Sequence, residues 1–557
     1  MTLPLSGTDG ARANVRLTVP WDRRRVGLAV FFLFTLSASV VSLRFIKFSP
    51  IELYRGLTTS GYFGRALPPS FFEWHKSLNL LVRTFMMAVA GTGLAGLLSV
   101  PLGVLAARST APSPWVARIA RFVIVATRAI PDLIWAVFFV AALSIGELPG
   151  VLALGVHSIG MLGKLLADSI EELDDGPREA ALAAGATRFQ AVTNAVLPQV
   201  LPSYVGNLLY RLDINTRVSV VLGFVGAGGI GFELRGNLRN PLRYPVGIGQ
   251  AIMVFGLVLL VDRVASLTRH ALDGAVNVRS NDRETEVAAE VAAEARRARL
   301  RPPWTFDRKI LGSISAVMVT GFMWCSAQVG LNPMSFIRAL AKSASILKLF
   351  WPPDFSKFRP EITQGFKETL AIGMAATFIG VTAAIPFALL VARTTTPNRF
   401  VGAVARFVQV VLRSIPELVI VLLFVSAVGL GPVPGAAALS IGTFSFMSKL
   451  LADSLESVPQ GPLEGVRASG ASRPQEVAAA VAPQMVPSLV SNGLYNFDVN
   501  VRSSSVLGIV GAGGIGRILD ETLSLLMYRT VAAVIIILFV IVMMIEQLSI
   551  LIRRHLL

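Results

Sequence analysis

The 557-residue chain is 53% hydrophobic and only 15% charged, where soluble domains carry roughly 25% charged residues, so a water-soluble globular protein is excluded. Its net charge of +17 reads, in so apolar a chain, as basic flanks of membrane spans rather than as a nucleic-acid surface. A single cysteine, Cys325, excludes a disulfide framework and a Cys-cluster metal site, and His75, His157, His270 and His555 lack metal-ligand spacing.

In chain order, residues 1–25 form a polar, Arg-bearing tail expected on the cytoplasmic side. The apolar run Val26–Leu43 follows Arg23-Arg24-Arg25 without a small-residue cleavage site, and reads as a retained first span rather than a signal peptide. Phe71, Phe72 and Trp74 suit a short helix in the membrane interface. Further spans are expected near 78–106, 123–145, 151–170, 200–222 and 246–266. Residues 268–309 are the one long charged segment, with nine Lys/Arg and seven Asp/Glu, and read as a cytoplasmic linker. Spans are then expected near 310–328, 366–392, 401–428, 433–452, 485–507 and 529–552.

The second series repeats the first. Subtracting 179 from 464 gives 285, and the same offset relates Gly185 to Gly470, Pro198 to Pro483, Asp213 to Asp498, Arg217 to Arg502 and Gly231 to Gly516. Between Asp213 and Gly231 the copies agree at 14 of 19 positions without a gap. The expected fold is therefore an all-α polytopic membrane protein of two tandem six-span repeats, about 12 transmembrane helices. An even span number returns the chain to the same side, so the repeats are parallel. The halves are 1–267 and 310–557.

Three motifs carry the functional reading. The least apolar stretch of each half, 171–198 and 456–483, reads as a helix–turn–helix knuckle. Pro177 opens a helix through Glu179, Ala180 and Ala181, and Gly185 ends it. Thr187 and Gln190 have capping-box spacing for a second helix ending near Pro198. Glu464, Gly470 and Pro483 repeat the plan, with Gly465-Val466 in place of the two alanines. Second, Asp213-x-Asn215-x-Arg217 and Asp498-x-Asn500-x-Arg502 lie within span five, and Arg128 and Arg413 within span three. Charges at membrane depth mark either a buried ion pair or a pathway, and both readings are open. Third, Gly226-Ala-Gly228-Gly229-Ile-Gly231 satisfies G-x-G-x-x-G, but no strand precedes it, so a dinucleotide site fails on context. With Gly511, Gly513, Gly514 and Gly516 it reads as an outward-facing or re-entrant turn, packed for close approach or forming an anion nest.

The Glu…Gly…Pro knuckle resembles the EAA loop of ATP-binding-cassette importer permeases. Together, D-x-N-x-R followed by V-L-G-x-V-G-A-G-G-I-G, and R-x-I-P-[DE]-L in span three, resemble the phosphonate-type permeases over about 80–267 and 365–552. The resemblance implies a type I importer permease with two units fused in one chain, in the bacterial inner membrane, passing phosphonate- or phosphate-like oxyanions. It implies ATPase subunits, two copies, docked on the knuckles, and an extracytoplasmic binding protein delivering substrate. ATP and Mg would be bound by that ATPase; this chain has no G-x-x-x-x-G-K-[ST], no expected cofactor and no catalytic residues. Alternatives are a methionine-type or other small-solute permease, an ion-coupled secondary transporter, which the duplicated knuckle disfavours, and a membrane-embedded phosphatase, for which no constellation exists.

Overall fold

The structure, a computed structural model, describes residues 2–3, 15–16, 23–59, 61–285, 306–356 and 359–556. Among these, eight uninterrupted helices are long and apolar enough to cross a bilayer: Val26–Phe45, Trp74–Ala106, Glu147–Glu171, Pro241–Arg269, Lys309–Gln328, Pro360–Val391, Pro432–Glu456 and Tyr528–Arg554. The two expected third spans are not continuous helices. Pro114–Ala129 and Asp132–Leu143 meet at 86°, and Arg399–Ser414 and Glu417–Val428 at 81°. The cause is local. Ile130 and Ile415 precede prolines, which exclude the α region, and both are extended, at φ −87° and −82°. Ser113 and Asn398 cap the first helix of each pair by accepting from Val116 and Val401 N–H.

The expected fifth spans are the helices Leu197–Gly223 and Ala482–Leu507. They are long enough to cross but more polar than the other spans. Here a second expectation is corrected: the knuckle's second helix does not end at Pro198 or Pro483. It begins at Arg188 or Arg473 and runs unbroken into span five through a five-residue π turn, Val192–Val196 or Val477–Val481. Proline lacks an N–H and collides with the carbonyl four residues back; the wider π turn just ahead of each proline relieves that conflict.

Smaller departures follow. The interfacial helices after span one lie at Pro50–Thr59 and Tyr62–Ala66, and the aromatic stretch is instead the turn into the helix starting at Trp74. Span six continues without a break as Tyr244–Thr285, so the first part of the expected linker is helical; its residues 286–305 lie outside the described residues.

The halves interlock. Helix Arg23–Phe45 packs on Arg359–Val391 of the other half, and Phe306–Gln328 packs on Trp74–Ala106. One apolar core joins Met87, Leu133 and Val151 to Cys325, Phe366 and Ile518; another joins Val220, Leu234 and Val254 to Ile372, Leu418 and Leu439. At the knuckle ends the cores separate, one around Ala106, Leu166 and Val196, the other around Val391, Leu451 and Val481. The molecule is one body in the membrane, with a private core under each knuckle.

Candidate functional site

The helix break in span three positions the first charges. Arg128, in the last turn before the break, reaches Glu546 on the other half's last helix at 2.6 Å, and Arg413 reaches Asp262 of the first half at 3.3 Å. These are reciprocal pairs that cross between halves. On span five, Arg217 pairs with Asp213 at 2.5 Å one turn earlier, and Arg502 pairs with Asp498 in the same way. Arg217 also donates to the Arg413 carbonyl at 3.2 Å, and Arg128 and Glu546 lie within electrostatic reach of Asp498, so each span-five pair neighbours a span-three arginine of the other half in a ring of charges at the contact between halves. Tyr210 and Tyr495, also 285 apart, lie one turn further toward the knuckles on the same helices; both are partly exposed, and Tyr495 is within electrostatic reach of Tyr210, Arg502 and Arg128.

Asn215 and Asn500 do not join that ring. Two residues along a helix is about 200°, so each points away from its Asp and Arg neighbours. Asn215 donates to Thr92 at 2.9 Å and Ser158 at 3.1 Å; Asn500 donates to Thr377 and Thr443 at 2.8 Å each. Both are buried and tie spans two, four and five of their own half together.

Three adjoining positions break the symmetry. Where the first half has Asp132, His157 and Arg211, the second has Glu417, Gly442 and Asn496. His157 Nδ1 lies 3.1 Å from the Ile130 carbonyl freed by the helix break. Glu417 instead reaches over Gly442, where a Cβ would stand 2.5 Å from its Oε1. Arg211 is 4% exposed; its Nε donates to Ser158 Oγ at 2.7 Å and Nη1 to Met161 Sδ at 3.3 Å. Asn496 donates to the Asn492 carbonyl at 2.9 Å. Tyr210, His157 and Arg211 lie outside the motifs that the sequence marks as functional. The 285 offset marks Tyr210/Tyr495 as a repeated pair, whereas His157/Gly442 and Arg211/Asn496 carry no repeat signal.

The Gly-rich segments are packed within the protein. Gly226, Gly228 and Gly229, like Gly511, Gly513 and Gly514, have positive φ, and each segment leads into a short helix, Ile230–Arg239 or Ile515–Ser524. A Cβ on Gly231 would stand 1.9 Å from the Val220 carbonyl oxygen, and one on Gly516 2.0 Å from that of Ser505. Backbone amides here are taken by protein acceptors: Ile230 and Ile515 donate to Thr84 and Thr369 at 2.9 Å, and Gly514 donates to Glu368 at 2.9 Å. The segment also grips the turn before span four, Gly146 donating to the Gly226 carbonyl and Gly431 to that of Gly511.

At the knuckles, helix Gly176–Ala183 ends at Gly185 with φ 87°, and Thr187 and Gln190 make the capping box. In the second half helix Gln460–Ala468 ends at Gly470 with φ 81°. Glu179, Ala180, Gly185, Pro198, Glu464, Gly470 and Pro483 are exposed, and Ala181 is half-buried. Arg178 hydrogen-bonds Asp175 and holds that carboxyl below its ordinary range. A cavity of about 650 Å³ beside the first knuckle is lined by Arg108, Arg118, Arg121, Arg178 and Arg188. The second knuckle is braced by Arg467 on Glu476, at 2.9 and 2.7 Å. Among the described residues no group of three His, Cys, Asp or Glu could hold a metal ion.

A duplicated helical bundle with two exposed knuckles and a paired ring of charges between its halves defines a multi-pass membrane transport component. Residues 99–273 and 384–555 each match the family described as the binding-protein-dependent transport system inner membrane component, and the chain belongs to that family, carrying its domain twice. It is 42% identical to the phosphate-import permease protein PhnE of Mycolicibacterium smegmatis over 93% of both chains. It is 46% identical to the phosphite transport system permease protein PtxC of Stutzerimonas stutzeri over 37% of this chain and 74% of that one. Among solved structures, a chain of the inward-facing MetNI methionine ABC transporter aligns with 36% of this chain and 99% of its own, at 23% identity and a TM-score of 0.33.

Proposed function

We propose that this chain is the permease of an ABC importer for phosphorus oxyanions, namely phosphate, phosphite or phosphonates, in a bacterial inner membrane. The observation that carries the reading is its 42% identity, over 93% of both chains, to a protein named as a phosphate-import permease. Both permease units sit in one polypeptide, so one chain supplies two knuckles, one for each of two ATPase subunits. Glu179, Ala180, Ala181, Gly185 and Pro198, with Glu464, Gly470 and Pro483, form the docking surfaces. An extracytoplasmic binding protein delivers substrate to the opposite face, toward which the Gly-rich segments lie. Arg128, Arg217, Arg413 and Arg502, each moderated by a carboxylate, line the passage; a weakly held oxyanion is released, whereas a strong permanent site would trap it.

The test is uptake of radiolabelled phosphate and methylphosphonate by vesicles holding this chain, its ATPase and its binding protein. ATP-dependent uptake of at least one, absent without the ATPase, is expected; uptake without ATP, or of methionine alone, overturns the reading. Orientation is checked separately. In a Cys325→Ala background, a cysteine at Ala183 stays unlabelled by an impermeant thiol reagent in intact cells, and labelling from outside would invert the assignment.

A further inference from the structure

The basic cavity beside the first knuckle is lined by none of the residues assigned to docking or passage. It opens where span two ends at Ala106, between the turn at 108–113 and the knuckle helices, and its volume of about 650 Å³ is that of a small-molecule site. Two of its five guanidiniums are neutralised, Arg121 by Glu171 and Arg178 by Asp175. Arg108, Arg118 and Arg188 pair with no carboxylate among the described residues; Arg118 lies over the Trp115 ring at 3.8 Å, and Arg188 donates to the Pro112 carbonyl at 3.3 Å. The cavity therefore carries excess positive charge. The second half does not keep it. Ala403 and Leu463 stand in the places of Arg118 and Arg178, and Glu476, in the place of Ala191, sets a buried carboxylate against Arg467.

An apolar surface adjoins the cavity. On helix Pro114–Ala129, Pro114, Ala117, Arg118 and Arg121 line the cavity, while Trp115, Ile119 and Phe122, about a quarter-turn round the helix, are exposed. In a membrane protein such a face meets lipid chains, and a Trp beside an Arg suits headgroup depth. We infer that the cavity holds the headgroup of an anionic phospholipid, in the first half only. Arg108, Arg118 and Arg188 receive its phosphate, and its acyl chains run along Trp115, Ile119 and Phe122. A free anion would use the arginines and leave the apolar face uncovered; the two together fit an amphiphile. Phe400, Val404 and Phe407 repeat the exposed apolar face in the second half without the excess charge, so lipid contact there does not select a headgroup.

The experiment uses the full chain purified with its ATPase, in detergent micelles holding brominated-chain phosphatidylglycerol or brominated-chain phosphatidylcholine, whose chains quench nearby tryptophan. The share of fluorescence lost in Trp115→Phe isolates the signal of Trp115. Phosphatidylglycerol is expected to reach Trp115 with about fivefold or greater preference over phosphatidylcholine, since one arginine at a membrane surface contributes about that factor. Arg118→Ala, at an exposed position, should lower the preference about fivefold. Adding Arg178→Leu, which imitates the second half, should abolish it. Arg399→Ala, which takes one charge from the counterpart helix, leaves it unchanged. Equal quenching by the two lipids overturns the site, as does an undiminished preference in Arg118→Ala or an equal fall in Arg399→Ala. Loss of the preference in millimolar inorganic phosphate at constant ionic strength overturns the lipid assignment in favour of a free anion. A preference present in the chain alone but absent from the complex overturns it as well, and gives the cavity to the ATPase.

Discussion

The ring of arginines and the three positions beside it make a useful contrast. Arg128 and Arg413 find their carboxylates in the opposite half, and Arg217 leans on the Arg413 backbone, so a change on one side disturbs the other. The hydrogen bonds His157 and Arg211 make stay within their own half, and those of Asn496 do the same. In a fused chain the two copies can differ, and here they differ where an unpaired charge is left over.

The largest expected effect lies where the halves are the same. Gly231→Ala and Gly516→Ala each place a Cβ about 2 Å from a backbone carbonyl oxygen that cannot swing aside. Overpacking of flexible side chains costs roughly 1–3 kcal/mol, and a backbone collision costs more. Both variants should give little folded protein by detergent-solubilised yield, and to the same extent. A well-folded variant at only one of the two sites would break the equivalence of the Gly-rich segments.

Next come the knuckles. Gly185 has φ 87°, whereas proline holds φ near −65°, so Gly185→Pro should abolish uptake and ATPase co-purification while the membrane core, separate from the knuckle's own core, still folds. Gly470→Pro should be milder, because Arg467 on Glu476 still braces the second knuckle. Adding Glu476→Ala to Gly470→Pro should bring it to the level of the first half. Equal loss from the two single variants would show that the ion pair contributes nothing to docking.

Much of this was legible in the chain. The capping box at Thr187 and Gln190, the Gly185 stop and most span positions follow from turn chemistry and apolar length, which are local. The break in span three is not legible from hydropathy, although Pro131 and Pro416 mark its place. Apolar residues continue on both sides, and hydropathy alone does not separate one span from two helices meeting at 86°. The run of knuckle into span five is hidden for the opposite reason: proline signals a stop, but a π turn absorbs it. Asn215 was grouped with Asp213 and Arg217 by proximity in sequence, whereas the helix turns it to the other side. Arg211 carries no repeat signal, because Asn496 stands at its counterpart.

A third comparison concerns Asp213 with Arg217 against Asp498 with Arg502. Arg217→Gln leaves the buried Asp213 without its partner, and breaking a buried pair costs about 3–5 kcal/mol. Since the Arg217 side chain is 20% exposed, the lower end is expected. If the pair only holds span five in place, Asp213→Asn together with Arg217→Gln should restore both folded yield and transport. If Arg217 lines the passage, yield should return while uptake stays low. Arg502→Gln and its Asp498→Asn double variant should behave alike, since Arg502 pairs with Asp498 one turn earlier in the same way.

The smallest effect should come from Gly442→Ala, which probes the divergence itself. The new Cβ would meet Glu417 Oε1 at 2.5 Å, but that atom ends a flexible side chain and can withdraw. The cost is the contact of Glu417 with Ser503 and its approach to Arg217, about 1 kcal/mol if one hydrogen bond is lost. Glu417→Asp shortens the side chain by one methylene, to the length that accompanies His157 in the first half. In that background Gly442→Ala should cost almost nothing, so the two changes should be less than additive by about 1 kcal/mol, since residues in contact couple. Unfolding midpoints of wild type, both single variants and the double variant measure the coupling directly. Strict additivity would mean that Glu417 does not depend on the room left by Gly442, and that the two positions diverged independently.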